Sequence, residues 1–497
     1  MPRGVYRRAI PARPGSITLR GTKASACGAT NRSGIENLLA GPMKITFVNH
    51  ASILLEAKAA SIWTDPWTAG KILNDCVALY SPSARVPLER VQFIWISHQH
   101  PDHLHFPTLK AIPETERRRM TILYQRHSSP RVVESLQKLG FGNVIELPQY
   151  RWKTLRPGFE VLCGCVGATE SFLAVKSEGE CVLNMNDCVC TDSTLRYIRR
   201  LVGQPTLFFT QFSTARWVGN RADETGAVAQ KMRELKYGIL TLKPEATVPF
   251  ASFAYRCNYE NEWMNQFGMT PARLMEMNLP GVNFMYPGDV WDSAERKFRT
   301  PEAVAKYEAD FKNLAIDPVP PSVDQDKIRL AVNKLLAALR KRFSKIVLSR
   351  IEPFQIYTHD TNMVFTINPA AGTCQSREAT REGAANARYA MCSQVAWYTF
   401  TCPWGWSVLE GNATFIDREF KVKGENKLWK RCVTKLESDD LWFDSSARFV
   451  RTLGFLWGKK SEILCRFLGK PVSEEAIRKA APSAGAENWQ TRPATEA

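Results

Sequence analysis

The sequence contains no apolar run approaching the roughly 20 residues that a helix needs to cross a bilayer. That excludes a bundle of membrane-spanning helices and predicts a chain with no transmembrane segment. It contains no paired CxxC motifs of the zinc-ribbon kind, although it carries 13 cysteines. Cys163/Cys165 and Cys188/Cys190 form CxC pairs, and the reading adopted for most thiols is that of small buried apolar groups. There is no visible secretory signal and an odd number of cysteines, so a reducing, cytoplasmic location is expected. There is no internal repeat, and no recognition-helix or RNA-binding signature accompanies the basic charge, so no nucleic-acid partner is expected. Histidine is scarce, with seven in 497 residues.

What is present points to an enzyme-sized soluble chain. Its length exceeds what one hydrophobic core usually organises, so two domains, or one with a large appendage, are expected. The formal net charge is +17, which suits an anionic small-molecule substrate by electrostatic steering. Residues 1–42 hold seven Lys/Arg and one acid, Glu36, without periodicity. They read as a disordered arm, a transit peptide or an upstream extension, with Met43 as an alternative first residue.

Past Met43, apolar runs at 44–48, 52–56, 61–65 and 91–97 read as strands, the last covered on both faces. Arg131–Leu139 reads as a helix ended by Gly140, Glu180–Asn184 and Thr206–Thr210 as strands, 221–236 as a helix and 237–242 as a strand. The organisation expected is a mixed α/β domain over 43–316 and, after the stiff segment Asp317–Ser322, a C-terminal α+β region over 323–470. A flexible tail is expected over 471–497. The second region opens with a helix whose stripe Ile328, Val332, Leu335, Leu336 and Leu339 reads as ordinary packing beneath a solvated basic face. Residues 354–420 read as strands, notably Val395–Phe400.

The strongest signal is Ser97-His98-Gln99-His100-Pro101-Asp102-His103 at the end of an apolar strand. With His105, it places four of the seven histidines in one short loop. Imidazole nitrogens and a carboxylate oxygen at this spacing suit zinc, iron or manganese. Loops at sheet ends carry such groups on a rigid base.

The HxHxDH spacing resembles the signature of the metallo-β-lactamase superfamily. Two further segments, His50–Glu56 and Thr64-Asp65-Pro66-Trp67, resemble the opening elements of that fold, and Asn184–Cys188 resembles the strand that delivers its bridging aspartate. Together with Thr210–Ser213, these motifs are most similar to the CMP-N-acetylneuraminate hydroxylase-like branch. The resemblance implies an α/β metallo-β-lactamase αββα sandwich with a C-terminal α+β appendage, and two metal ions, iron favoured and zinc or manganese the alternatives. It implies His98 and His100 on the first metal, Asp102 and His103 on the second, and Asp187 between them. Asp102 is also a candidate proton shuttle, and His50 either lines the cavity as a catalytic group or is a satisfied core histidine.

No histidine stands between His127 and His359, where the family usually supplies two more ligands. Glu170 or Cys165 is expected to replace the first, and Asn258 or Glu260 the second. Carboxylate replacement, loss of one metal, or a weakened site retained for binding are the three readings, in that order. The first choice of function is an iron-dependent oxygenase, because iron activates dioxygen and zinc has no redox chemistry. The chain shows no Cys/His pattern of a Rieske cluster, so an external electron donor is expected. A metal-dependent hydrolase acting on a lactone, amide or phosphoester is the alternative, and a non-catalytic binding protein the third.

Overall fold

The computed structural model describes residues 42–481, apart from residues 168, 214–223, 403, 420–425 and 439–445. The expected N-terminal arm therefore lies, but for Pro42, outside the described residues, as does everything beyond 481.

Fifteen strands build the first unit. They are β1 (Lys44–Asn49), β2 (Ser52–Glu56), β3 (Ser61–Thr64), β4 (Val77–Leu79), β5 (Phe93–Ile96), β6 (Thr121–Gln125), β7 (Asn143–Leu147) and β8 (Arg151–Arg156). There follow β9 (Phe159–Val166), β10 (Glu170–Ser177), β11 (Glu180–Asn184), β12 (Leu207–Gln211), β13 (Ala246–Phe250), β14 (Ala254–Arg256) and β15 (Val290–Asp292). One large sheet has the order β15-β1-β2-β3-β5-β6-β7 and a second β13-β12-β11-β10-β9-β8, while β4 and β14 pair as a separate two-stranded sheet. In the first, β1 to β3 are antiparallel neighbours and β3, β5, β6 and β7 run parallel.

Side-chain alternation explains the layers. In β5, Phe93 and Trp95 enter the core between the sheets, while Ile94 and Ile96 face the outer layer. The second sheet contributes Cys163, Leu173, Val175, Val182 and Phe209 to the same inner core. Its opposite face, with Leu162, Phe172, Ala174 and Leu183, is covered by Leu195, Ile198 and Val202 of the helix Asp192–Val202 and by Tyr237 and Leu242 of the helix Glu224–Leu242. Leu109 and Leu136, on the helices Phe106–Ala111 and Arg131–Gln137, cover the first sheet. Helix, sheet, sheet, helix is the αββα sandwich that the motifs imply. A tight hairpin joins β10 and β11: Ser177 pairs with Glu180, and the two residues between them, Glu178 and Gly179, have φ of 54° and 81°. Such a tight turn requires left-handed backbone at both central positions.

The second unit is a five-stranded sheet, β18-β17-β16-β19-β20, formed by β16 (Phe354–Thr358), β17 (Met363–Asn368), β18 (Thr373–Glu378), β19 (Tyr389–Met391) and β20 (Phe415–Asp417). The helix Gln325–Arg342 lays the expected stripe into it, with Ile328, Val332, Leu336 and Leu339 buried.

Three expectations are corrected. Val395–Phe400 is part of a helix, Ser393–Thr401, not a strand. Its buried Val395, Ala396, Thr399 and Phe400 recur at helical spacing, and a short apolar run of this kind fits either period until its neighbours choose. Residues 237–242 continue the helix Glu224–Leu242, and the strand lies beyond it at β13. Finally, the chain returns to the first unit after the second sheet. Residues within the expected tail form the helix Glu474–Ala480, and Val472 and Ile477 join the outer core of the second sheet.

Candidate metal centre

Four chain segments meet at one end of the sandwich. Strands β1 and β3 run parallel, as do β3 and β5, so the β1–β2 turn and the loops after β3 and β5 emerge on one side. They carry His50, Asp65 and the His98–His103 loop. The segment after β11 brings Asp187 to the same place.

The loop is anchored before it begins. The amide of Ser97 donates to Asp65 Oδ1 at 2.7 Å. The Ser97 carbonyl accepts from Gln125 Nε2 at 2.9 Å and from Ser171 Oγ at 2.6 Å. Three strands thus clamp the residue preceding His98. The other Asp65 oxygen lies 2.9 Å from His103 Nδ1, and both side chains are fully buried. A carboxylate on Nδ1 holds the proton there and leaves the Nε2 lone pair facing the cleft. Three residues here adopt left-handed backbone, His50, Asp65 and Asn186, with φ of 41°, 36° and 48°. Non-glycine residues take this conformation only where surrounding structure imposes it. For His50 the tie is its carbonyl, which accepts the Ala251 amide at 2.8 Å, and for Asn186 it is the Gln211 amide at 2.8 Å.

Two triads result. His50, Asp102 and His103 bring one ligand atom each within 4.8 Å of one another, and so do His98, His100 and Asp187. In the first, Asp102 Oδ2 is 3.4 Å from His50 Nε2 and 3.3 Å from His103 Nε2. In the second, His98 Nε2 is 2.7 Å from His100 Nδ1 and 3.7 Å from Asp187 Oδ2. Asp187 Oδ2 is also 3.8 Å from His103 Nε2, so this carboxylate stands between the triads. His98 and His103 are fully buried, and His100 is exposed, which opens the second triad to solvent.

These residues fit a metal. His103 Nε2, His50 Nδ1 and Asp187 Oδ1 are buried without a hydrogen-bond partner, a costly state for polar groups unless a cation meets them. Electrostatics agree. Burial and the neighbouring imidazoles hold His98 well below its ordinary value, against the pull of Asp187. Burial acts in the same sense on His103, but Asp102, Asp187 and Asp65 overcome it and hold that imidazole well above. Burial raises Asp102 and Asp187, and the imidazoles more than offset this, leaving both carboxyls low. Three carboxylates around one imidazole demand positive charge, which His103 supplies as a proton and a bound metal ion supplies in its place.

The structure brings together His50, His98, His100, Asp102, His103 and Asp187, and leaves Glu170 outside both triads. Strand parity is the reason. In β10, Leu173 and Val175 face the inner core and Phe172 and Ala174 the outer one, so Ser171 turns to the site and Glu170 away from it. The Glu170 carboxylate lies beside Gly167 and the Arg466 guanidinium. Asn258 is committed elsewhere: its Oδ1 accepts the Glu260 amide at 2.9 Å and its Nδ2 donates to the Pro318 carbonyl at 3.4 Å. Glu260 pairs with His359 at 3.2 Å, and the Cys165 thiol, pushed up to about 11 by burial, lies 3.5 Å from Lys459 Nζ. The added imidazole is instead His50, from the first turn of the fold. His105 is no ligand; it caps the helix Phe106–Ala111 by accepting the Thr108 amide. Sequence reasoning gave no role to Asp65, Gln125 or Ser171. Only Asp65 left a signal, an acid directly after an apolar strand.

Comparison with known proteins gives the same picture. Residues 44–197 match the family described as the beta-lactamase superfamily domain. Cytidine monophosphate-N-acetylneuraminic acid hydroxylase of Danio rerio is 23% identical over 265 residues, covering 49% of this chain and 44% of its own. The enzyme of that name from Mus musculus is 31% identical over 163 residues, covering 31% of this chain and 28% of its own. The chain thus spans less than half the length of these relatives. Among solved structures, CmlA, a diiron beta-hydroxylase from Streptomyces venezuelae, aligns with a TM-score of 0.33 and 16% identity, covering 42% of this chain and 45% of that one. With the layered sheets, the HxHxDH loop and the two triads in place, the chain carries a metal-binding domain of the metallo-β-lactamase superfamily, distantly homologous to the CMP-N-acetylneuraminate hydroxylases.

Proposed function

We propose that the protein is an iron-dependent oxygenase that hydroxylates an anionic small metabolite. The observation that carries this reading is the composition of the triads: each holds two imidazoles and one carboxylate. Two histidines and one carboxylate are the donor set of non-haem iron oxygenases. The names of the distant relatives point the same way. When bound, iron supplies dioxygen activation, and an external donor supplies the reducing equivalents.

The chain's own residues do the rest. His98 and His103 form the buried floor of the cleft, and His100 and the part-exposed Asp102 form its mouth. Asp102 Oδ2, between His50 Nε2 and His103 Nε2, is placed as a carboxylate to accept a proton and pass it on at that mouth. The surplus of basic residues draws anionic substrates towards the protein. The described cysteines are all free thiols, which suits a reducing, cytoplasmic compartment.

Metal analysis of protein purified without added metal tests the reading. Iron in both triads is the expected result. Zinc in both would favour the hydrolase, and no metal a binding protein; either would overturn the oxygenase.

A further inference from the structure

Two consecutive helices, Ser446–Gly458 and Lys460–Leu468, turn large apolar side chains outward. Of the 14 large apolar side chains exposed among the described residues, seven lie within residues 449–468. On the helix Ser446–Gly458, Val450, Leu453 and Trp457 form a stripe at helical spacing and are 66%, 49% and 68% exposed. On the next helix, Lys460–Leu468, the stripe is Leu464, Phe467 and Leu468, at 58%, 85% and 72%. The buried sides of the same helices are partly charged. Glu462 is fully buried, 3.5 Å from the equally hidden Lys459 and 3.3 Å from Arg466. Arg451 reaches inward to the His127 carbonyl at 3.1 Å. An ordinary surface helix buries its apolar stripe; these two bury Phe455 but turn most of their large apolar side chains outward, and Arg451 and Lys459 tie them to the body through the His127 and Gly167 carbonyls.

Positive charge surrounds the exposed stripes. Lys460 Nζ lies 4.1 Å from the Trp457 ring centre. Leu464 and Leu468 line a cavity of about 570 Å³ together with Arg196, Arg199 and Arg200. Arg199 Nη1 is buried there with no hydrogen-bond partner. The nearby acids are already engaged: Asp192 with Arg196, Glu475 with Lys479 and Glu462 as above. Arg199, Arg200 and Lys460 therefore form no ion pair with a carboxylate among the described residues.

We propose that this face docks on the surface of an anionic phospholipid bilayer. Exposed Trp, Phe and Leu side chains flanked by Lys and Arg suit the boundary between headgroups and acyl chains. The arginine-lined cavity gives lipid phosphates a cationic seat, and the apolar stripes enter the acyl boundary beside it. Charge selects the occupant, because a neutral protein face would leave the arginines uncompensated.

Co-sedimentation of the full chain with vesicles tests the proposal. Binding is expected to vesicles of phosphatidylcholine and phosphatidylserine in equal parts, and little to phosphatidylcholine alone. Arg199→Glu and Arg200→Glu should each weaken binding about fivefold or more. Phe467→Asp with Leu468→Asp should abolish it while leaving the metal content intact, since both side chains are largely exposed and neither belongs to the metal triads. Equal binding to neutral and anionic vesicles would overturn the proposal. So would failure of the native chain to bind, or a solution dimer that the same substitutions dissociate, which would make a second copy the occupant.

Discussion

Two buried polar clusters occupy loops of the first unit, and they differ in one respect. Around Asn258 and Asn261, the side-chain amides close on protein atoms. Asn261 Oδ1 accepts the Asn258 amide at 3.0 Å, and its Nδ2 reaches the carbonyls of Cys76 at 3.0 Å and Asn412 at 2.7 Å. Around His103, nitrogens and oxygens face one another with atoms unpaired. The first cluster is complete as protein and joins the two units. The second is complete only with something else in it. Buried polar residues suggest ligands in a sequence, but only the unsatisfied ones ask for them in a structure.

The sharpest way to break this contrast is to remove Asp187, which faces both triads. Asp187→Ala should empty both metal positions, and His98→Ala or His100→Ala should abolish tight binding in their own triad, read as metal per chain. Full occupancy in any two of these variants would sink the assignment. Next in size is Asp65→Asn, which keeps the shape but weakens the hold on the His103 ring. Metal affinity should fall about 10- to 100-fold with the fold intact; unchanged affinity in a chelator competition would demote Asp65 to a folding residue.

The closed cluster should respond in the opposite way. Asn261→Ala removes the Asn261 partner of the Asn258 amide and the Asn412 carbonyl and should cost about 1–3 kcal/mol in denaturant unfolding, with metal content unchanged. Metal loss there at full stability would erase the distinction. Glu170→Ala, outside both triads, should leave metal stoichiometry unaltered; a fall in metal content would return Glu170 to the ligand set.

The smallest effect concerns His105, which burial pushes down to about 4. The unfolded chain takes up this proton near the ordinary value of 6.5, and the folded chain only near 4. Stability is therefore fully present above about 6.5 and is lost as pH falls towards 4. His105→Asn keeps a helix cap without the titration, so the metal-free variant should lose less melting temperature than the native protein between those limits.

Much of the site was legible because its residues are close in sequence. The loop His98–His103 announces itself by composition, and Asp187 by the resemblance of Asn184–Cys188 to the strand that delivers an aspartate in the family. The place of His50 in a triad with Asp102 and His103 was not legible, because only the parallel alignment of β1 with β3 and β5 brings its turn to the loop. Glu170 misled for a local reason: one residue of strand parity decides which of Glu170 and Ser171 faces the cleft, and neither composition nor spacing reveals that parity. Of the fold, the apolar runs gave a mixed α/β domain, and the resemblance supplied its αββα layers. The reversals at Val395–Phe400 and 237–242 came where a short run fits both helix and strand.

The return of residues 472–480 to the second sheet has a consequence for biogenesis. Strand β11 leaves the ribosome almost three hundred residues before Ile477, which helps seal its outer face. At ordinary synthesis rates the gap is on the order of tens of seconds. During that interval Leu183, Phe208 and Tyr237 lack part of their cover, and the nascent domain is a client for whatever shields apolar surface in the cell. A segment made well after the second sheet thus completes the cover of that sheet's outer face.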